Sequence, residues 1–254
     1  MKVQTLLSCV VVSLLTFASF GCNSAPGRPK AEPEVPRPEE IHDFATLYKQ
    51  NCAACHGENG KQGIATSLAN PEYLALAGED TLIRITAKGI PGTLMPPFAQ
   101  SAGGMLTDQQ VHDLVDGMIR QWGNSQALAG QSAPSYAATG TGDVQQGQQS
   151  FTTYCASCHG PDGTGLKGKN VGANASRGSI VDPSYLALVS DQNLRTTAIV
   201  GLPGQGMPDW RGDVLSHAMT DKDVTDIVAW LASHRTQFPG QQYPATAPTA
   251  QQPQ

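Results

Sequence analysis

Aromatic side chains are scarce in this 254-residue chain: they make up 6% of it, against 27 glycines. That composition speaks against a core built from large side chains alone. Basic charge is also short, with 16 Lys and Arg against 21 Asp and Glu and a net charge of −5. Both halves of the chain are mildly acidic, which excludes the basic face that nucleic-acid binding needs. No hairpin signature is present, so helix is expected to dominate. The apolar stretch Leu6 to Phe20 is shorter than the ~20 residues of a spanning helix.

What the chain does have is two pentapeptides, Cys52-Ala53-Ala54-Cys55-His56 and Cys155-Ala156-Ser157-Cys158-His159, each followed by glycine (Gly57, Gly160). C-x-x-C-H is the attachment sequence of c-type haem. Two thiols three positions apart reach the two vinyl groups of one porphyrin, and the adjacent His meets the iron as proximal ligand. A thiol redox pair or a zinc ribbon also uses C-x-x-C. Zinc accounts neither for the two histidines nor for the methionine that follows in each half. Pro91-Gly92-Thr93-Leu94-Met95-Pro96 matches Pro203-Gly204-Gln205-Gly206-Met207-Pro208. A lone Met is usually a gap-filler. In register, in Pro/Gly-rich loops after a haem motif, Met95 and Met207 read as the second axial ligands, whose soft thioether raises the potential. Met105 is the rival in the first half but has no counterpart in the second. Met118 and Met219 read as packing residues.

The halves form a tandem repeat. Asn70-Pro71-Glu72-Tyr73-Leu74-Ala75-Leu76 returns as Asp182-Pro183-Ser184-Tyr185-Leu186-Ala187-Leu188. Leu106-Thr107-Asp108-Gln109-Gln110-Val111 returns as Met219-Thr220-Asp221-Lys222-Asp223-Val224. The haem motifs are offset by 103 positions and the methionines by 112, so the second copy carries extra residues in the polar loop Pro161 to Val181.

Each half resembles a class I cytochrome c, over residues 41–122 and 143–235, and the whole resembles the tandem dihaem cytochromes of bacterial respiratory chains. The resemblance implies an all-α fold: two small helical domains, each wrapped around a covalent haem, with a first helix crossing a last one. Ile41, Phe44, Ala45 and Tyr48 recur at helical spacing, as do Val144, Gly147, Phe151 and Tyr154. Thr107-x-x-Gln110 reads as a capping box, and Thr220-x-x-Asp223 as one with Asp in the place of Glu or Gln. Val111, Leu114, Val115 and Met118 make one apolar face; Val224, Ile227, Val228 and Leu231 make the other. The family pattern sets a Gly on the first helix against an aromatic on the last. The second half keeps it, with Gly147 and Trp230. The first reverses it, with Phe44 and Gly117. Interiors conserve volume across a contact, so Phe44 is expected to pack over Gly117 and Trp230 over Gly147. At about 80–90 residues, each domain has a marginal polypeptide core, and the porphyrin supplies the missing apolar surface.

Residues 1–21 read as a secretory signal. Ser19-Phe20-Gly21-Cys22 resembles a bacterial lipobox with Ser19 in place of Leu and a bulky Phe20, making Cys22 the candidate lipidation site. Cleavage without lipid and an uncleaved anchor are the alternatives. Residues 22–40 are a Pro-rich tether, 123–142 an Ala/Gly/Ser/Gln linker and 236–254 a Pro/Gln tail. Lys167, Lys169 and Arg177 cluster in the extra loop as a candidate basic rim. Phe98 and Trp210, three residues after each methionine, are candidate haem walls; Tyr73 and Tyr185 are candidate hydrogen-bond donors to the propionates. Gly163 to Gly168 matches G-x-G-x-x-G, but no strand precedes it. These features point to an exported electron carrier, held by a lipid anchor on the outer side of the cytoplasmic membrane and serving redox proteins of the respiratory chain. A haem subunit of a larger oxidoreductase is the alternative. A dihaem peroxidase or sulfur-compound dehydrogenase would need an open iron and an acid–base group, for which His112 and His217 are the candidates.

Overall fold

A computed structural model describes residues 35–128, 130–166, 178–212 and 218–236. The signal segment with Cys22, the loop residues Lys167, Lys169 and Arg177, His217 and the C-terminal tail beyond Thr236 lie outside the described residues. Two compact units divide the chain, Met1–Pro38 and Glu39–Gln254. Of the first, only residues 35–38 are described. The second contains both halves of the repeat.

Ten α-helices are present among the described residues, with no strand beyond two isolated bridges, so the fold is all-α. In the first half they are α1 (Phe44–Asn51), α2 (Ala53–His56), α3 (Pro71–Ala77), α4 (Glu79–Lys88) and α5 (Asp108–Trp122). The second half repeats the order as α6 (Val144–Tyr154), α7 (Ala156–His159), α8 (Pro183–Leu188), α9 (Asp191–Val200) and α10 (Asp221–Ala232). The repeated Asn70-Pro71 and Asp182-Pro183 are helix starts: each side chain accepts from the next two amides, with proline in the first turn. That satisfies orphan N–H groups with a residue whose own lost N–H costs nothing there. Both expected capping boxes form, at Thr107/Gln110 and at Thr220/Asp223. Gln110 also reaches Ile41 O at 3.0 Å, tying the entry of α1 to α5.

The expected apolar faces of α5 and α10 are buried throughout, and Met118 and Met219 sit in the core. On α1 the expectation needs correction. Ala45 points to solvent and Leu47 is buried instead. The helix begins one step after its cap Asp43, so Ile41 precedes it and the buried stripe runs through Leu47 and Tyr48. Val144 is 44% exposed, because it is the first residue of α6.

The crossing of first and last helices follows the exchange of glycine and aromatic. A Cβ on Gly117 would stand 2.2 Å from the Phe44 ring. One on Gly147 would stand 2.0 Å from Asp226 O and 2.8 Å from Trp230 Cβ. Around these points the rings cluster: Phe44 and Tyr48 meet Trp122, and Phe151 meets Trp230 at a centroid distance of 4.3 Å.

The linker 123–142 packs as a strap. Arg195, with a side chain only 2% exposed, donates to Ser135 O, Tyr136 O and Thr225 Oγ1 and pairs with Asp221. Asp221 also accepts from the Ser135 amide and hydroxyl and from Thr139 Oγ1. Tyr136 is half-buried against the core. Partial burial alone would raise the Asp221 pKa, but these bonds outweigh it and hold the carboxyl below its ordinary value.

Two outcomes are expected. Gly117→Ala should destabilise the holoprotein by about 1–3 kcal/mol through overpacking, and Phe44→Ala placed in that background should cost less than Phe44→Ala alone; denaturant unfolding of the four proteins measures it. A carboxylate held below its unfolded pKa stabilises fully above that value and loses its contribution as pH falls through the folded one. Stability should therefore decline below about pH 4. Asp221→Asn should be less stable at neutral pH and show a shallower acid decline in the same assay.

Candidate haem sites

Each C-x-x-C-H motif is placed by the end of the first helix. Cys52 closes α1 and opens α2, and Cys155 does the same between α6 and α7. The one-turn helices α2 and α7 put the second thiol and the histidine one turn beyond the first thiol. All four cysteines are free thiols. Cys52 is buried and Cys55 exposed. Burial, with the neighbouring cysteine adding, pushes the Cys52 thiol up to about 12, and Cys155 likewise to about 12.

His56 is half-buried, and its Nδ1 lies 2.7 Å from Thr66 O. Donation from Nδ1 to a carbonyl fixes the tautomer and leaves Nε2 to coordinate. Burial lowers its pKa against the opposing pull of that bond, which favours the neutral, metal-binding form. His159 is also half-buried, on the matching turn.

The methionine loops repeat one scheme. α4 and α9 both end at a glycine of positive φ, Gly89 at 67° and Gly201 at 66°. Ile90 N donates to Met95 O at 3.0 Å, and Leu202 N to Met207 O at 3.0 Å. The chain passes so close that a Cβ on Gly89 would lie 2.6 Å from Met95 O, and one on Gly201 2.7 Å from Met207 O. Three residues on, Phe98 N is held by Thr86 O and Trp210 N by Ile199 O. Met95 and Met207 are both half-buried, while the rival Met105 is 80% exposed. The glycines were not singled out from sequence, although Gly89-Ile90-Pro91-Gly92 and Gly201-Leu202-Pro203-Gly204 repeat in plain view. Nothing local marks Thr66, which contributes a backbone carbonyl.

The residues fit a c-type haem in each half. The donor set is imidazole, thioether and two unpaired thiols. Trp210 is buried, and its Nε1 has no partner among the described residues. A buried orphan donor is costly unless something accepts from it, and a porphyrin acid group is such an acceptor. Ile64 and Leu94, near His56 and beside Met95 in sequence, stand 88% and 89% exposed as apolar surface for a macrocycle to cover. Of the tyrosines proposed as propionate donors, Tyr73 is buried and Tyr185 is 39% exposed. His112 is exposed on α5, on a helix that packs rather than opens a site.

A family model described as cytochrome c oxidase, cbb3-type, subunit III matches residues 39–116, and one described as cytochrome c matches residues 144–235. The cbb3-type cytochrome c oxidase subunit CcoP of Rhodobacter capsulatus is 30% identical over 200 residues, covering 74% of this chain and 60% of that protein. The FixP subunit of Sinorhizobium medicae is 31% identical over 131 residues, covering 48% and 39%. Thiosulfate dehydrogenase of Stutzerimonas stutzeri is 27% identical over 197 residues, covering 72% and 59%. The matched stretches thus span between 39% and 60% of these relatives. With a cytochrome c domain matched in each half around its own haem motif, the chain belongs to the tandem class I cytochromes c and carries two covalently bound c-type haems.

Proposed function

We propose that this cytochrome carries electrons between partners of a respiratory chain by outer-sphere transfer. Cys52 and Cys55 would hold the first haem covalently and His56 and Met95 would bind its iron; Cys155, Cys158, His159 and Met207 would do the same for the second. The haems supply a reversible one-electron couple at each iron. With an imidazole and a thioether supplied to each iron, neither would offer a place to a substrate. The observation that carries this reading is the duplicated methionine loop, with a glycine at the helix end and a backbone bond onto the methionine carbonyl in both halves. A methionine whose backbone is pinned in this way would need little rearrangement of the loop between oxidation states. Met207 lines a groove of about 490 Å³ that Glu72 of the first half also borders, so the second methionine loop lies beside the first half.

The likeness to CcoP and FixP supports service to, or membership of, an oxidase complex. No helix among the described residues is long and apolar enough to cross a membrane. Attachment is assigned to a lipid on Cys22 after export, with residues 22–40 as tether on the outer side of the cytoplasmic membrane. The second reading, oxidation of a sulfur compound, is favoured by the thiosulfate dehydrogenase match, which extends across both halves.

Optical titration of the full holoprotein tests these readings. The carrier should show the weak red-end sulfur-to-iron band for both haems, bind no carbon monoxide, and stay oxidised with thiosulfate. Carbon monoxide binding at one haem, or thiosulfate-driven reduction, would select the enzyme. Met95→His and Met207→His should each remove half of the band and lower the potential of one haem only. Gly201→Ala should weaken the band at the second haem alone, because its Cβ meets the methionine loop backbone at a positive φ.

A further inference from the structure

Helix α9 of the second half is bonded to the first half at both ends. At its last residue, Val200 O accepts from Asn70 Nδ2 at 3.3 Å. In its first turn, Asn193 Nδ2 donates to Thr66 Oγ1 at 3.0 Å. Thr66 is the residue whose carbonyl lies 2.7 Å from His56 Nδ1. Asn193 is itself restrained: its amide N–H donates to Ser190 Oγ at 3.1 Å, and its Oδ1 accepts from Thr197 Oγ1 at 3.4 Å. A side chain held at both ends of its amide makes a rigid anchor.

We propose that Asn193 is a positioning residue for the first haem: it reaches across from the second half to fix Thr66, and through the Thr66 carbonyl it sets the hydrogen bond on His56. This rests on His56 being the first haem's proximal ligand. The partner of a ligating imidazole controls ring orientation and basicity toward the metal. A carbonyl fixed close to Nδ1 draws on its proton, makes His56 a stronger donor and favours the ferric state. Freeing the carbonyl weakens that bond and makes the first haem easier to reduce. The potential of one haem is thus set partly by the domain that carries the other.

The test is a redox titration of the full holoprotein with the two haems resolved, alongside the electron paramagnetic resonance spectrum of each ferric haem. Thr66→Val removes the hydroxyl at constant shape, Thr66→Ser keeps it, and Asn193→Leu cuts the contact from the far side, outside the first haem's pocket. Thr66→Val and Asn193→Leu should each raise the reduced-to-oxidised ratio of the first haem at fixed potential about threefold, or about 28 mV at 59 mV per tenfold. They should change its ferric spectrum and leave the second haem unmoved, while Thr66→Ser alone should keep the parent potential and spectrum. Unchanged potential and spectrum in both variants would overturn the inference, as would an equal shift of both haems, which marks loss of docking. Met95→His in parallel identifies the first haem. If that control moves the first haem and the other variants do not, this inference alone fails; if the control moves neither haem, the ligand reading fails first.

Discussion

The first and last helices of each half come so close that one of them has to give up its side chain. Everything else is arranged from that crossing. The turn carrying two thiols and a histidine begins where the first helix ends, on a cysteine that belongs to both helices. The methionine loop leads into the last helix. Which helix supplies the glycine is free, provided the summed volume is kept. Gly147 faces Trp230 in one half, and Phe44 covers Gly117 in the other. The two halves solve one packing problem with the parts exchanged.

Much of this was legible because it is written over short distances. Attachment motifs, capping boxes and the apolar faces of the last helices each occupy a few turns of chain. The exchange of glycine and aromatic could be read by laying one repeat on the other. Ala45 leaves the expected stripe because spacing alone does not say where a helix starts; Asp43 as cap turns the buried stripe toward Leu47. Arg195 gave no sign of being buried. Its partners Ser135 and Thr225 lie 60 and 30 positions away, and a charged residue enters a core only when such partners converge on it. Asn193 and Thr66 are 127 positions apart, and the group on Thr66 that holds His56 is backbone, which every residue type possesses.

Buried polar groups in this protein are mostly paired with each other. Gln110 spans its own helix cap and the Ile41 carbonyl, and Asp226 takes both the Asp143 amide and the Lys222 ammonium. Trp210 is different: a large ring inside the second half with an indole N–H that no described residue accepts. A porphyrin seated in the second half would be at once cofactor, apolar core and an acceptor for that indole. Folding and cofactor attachment are then parts of a single process.

The strap of residues 123–142 changes what kind of object the second unit is. A loose connector of that composition would let two haem domains tumble, and each internal electron step would wait for a favourable encounter. Here Arg195 and Asp221 grip the strap from one side, and Arg211 donates both to Gln131 Oε1 of the strap and to Glu72 of the first half. The connector is thereby part of the fold rather than a spacer between two independent pieces.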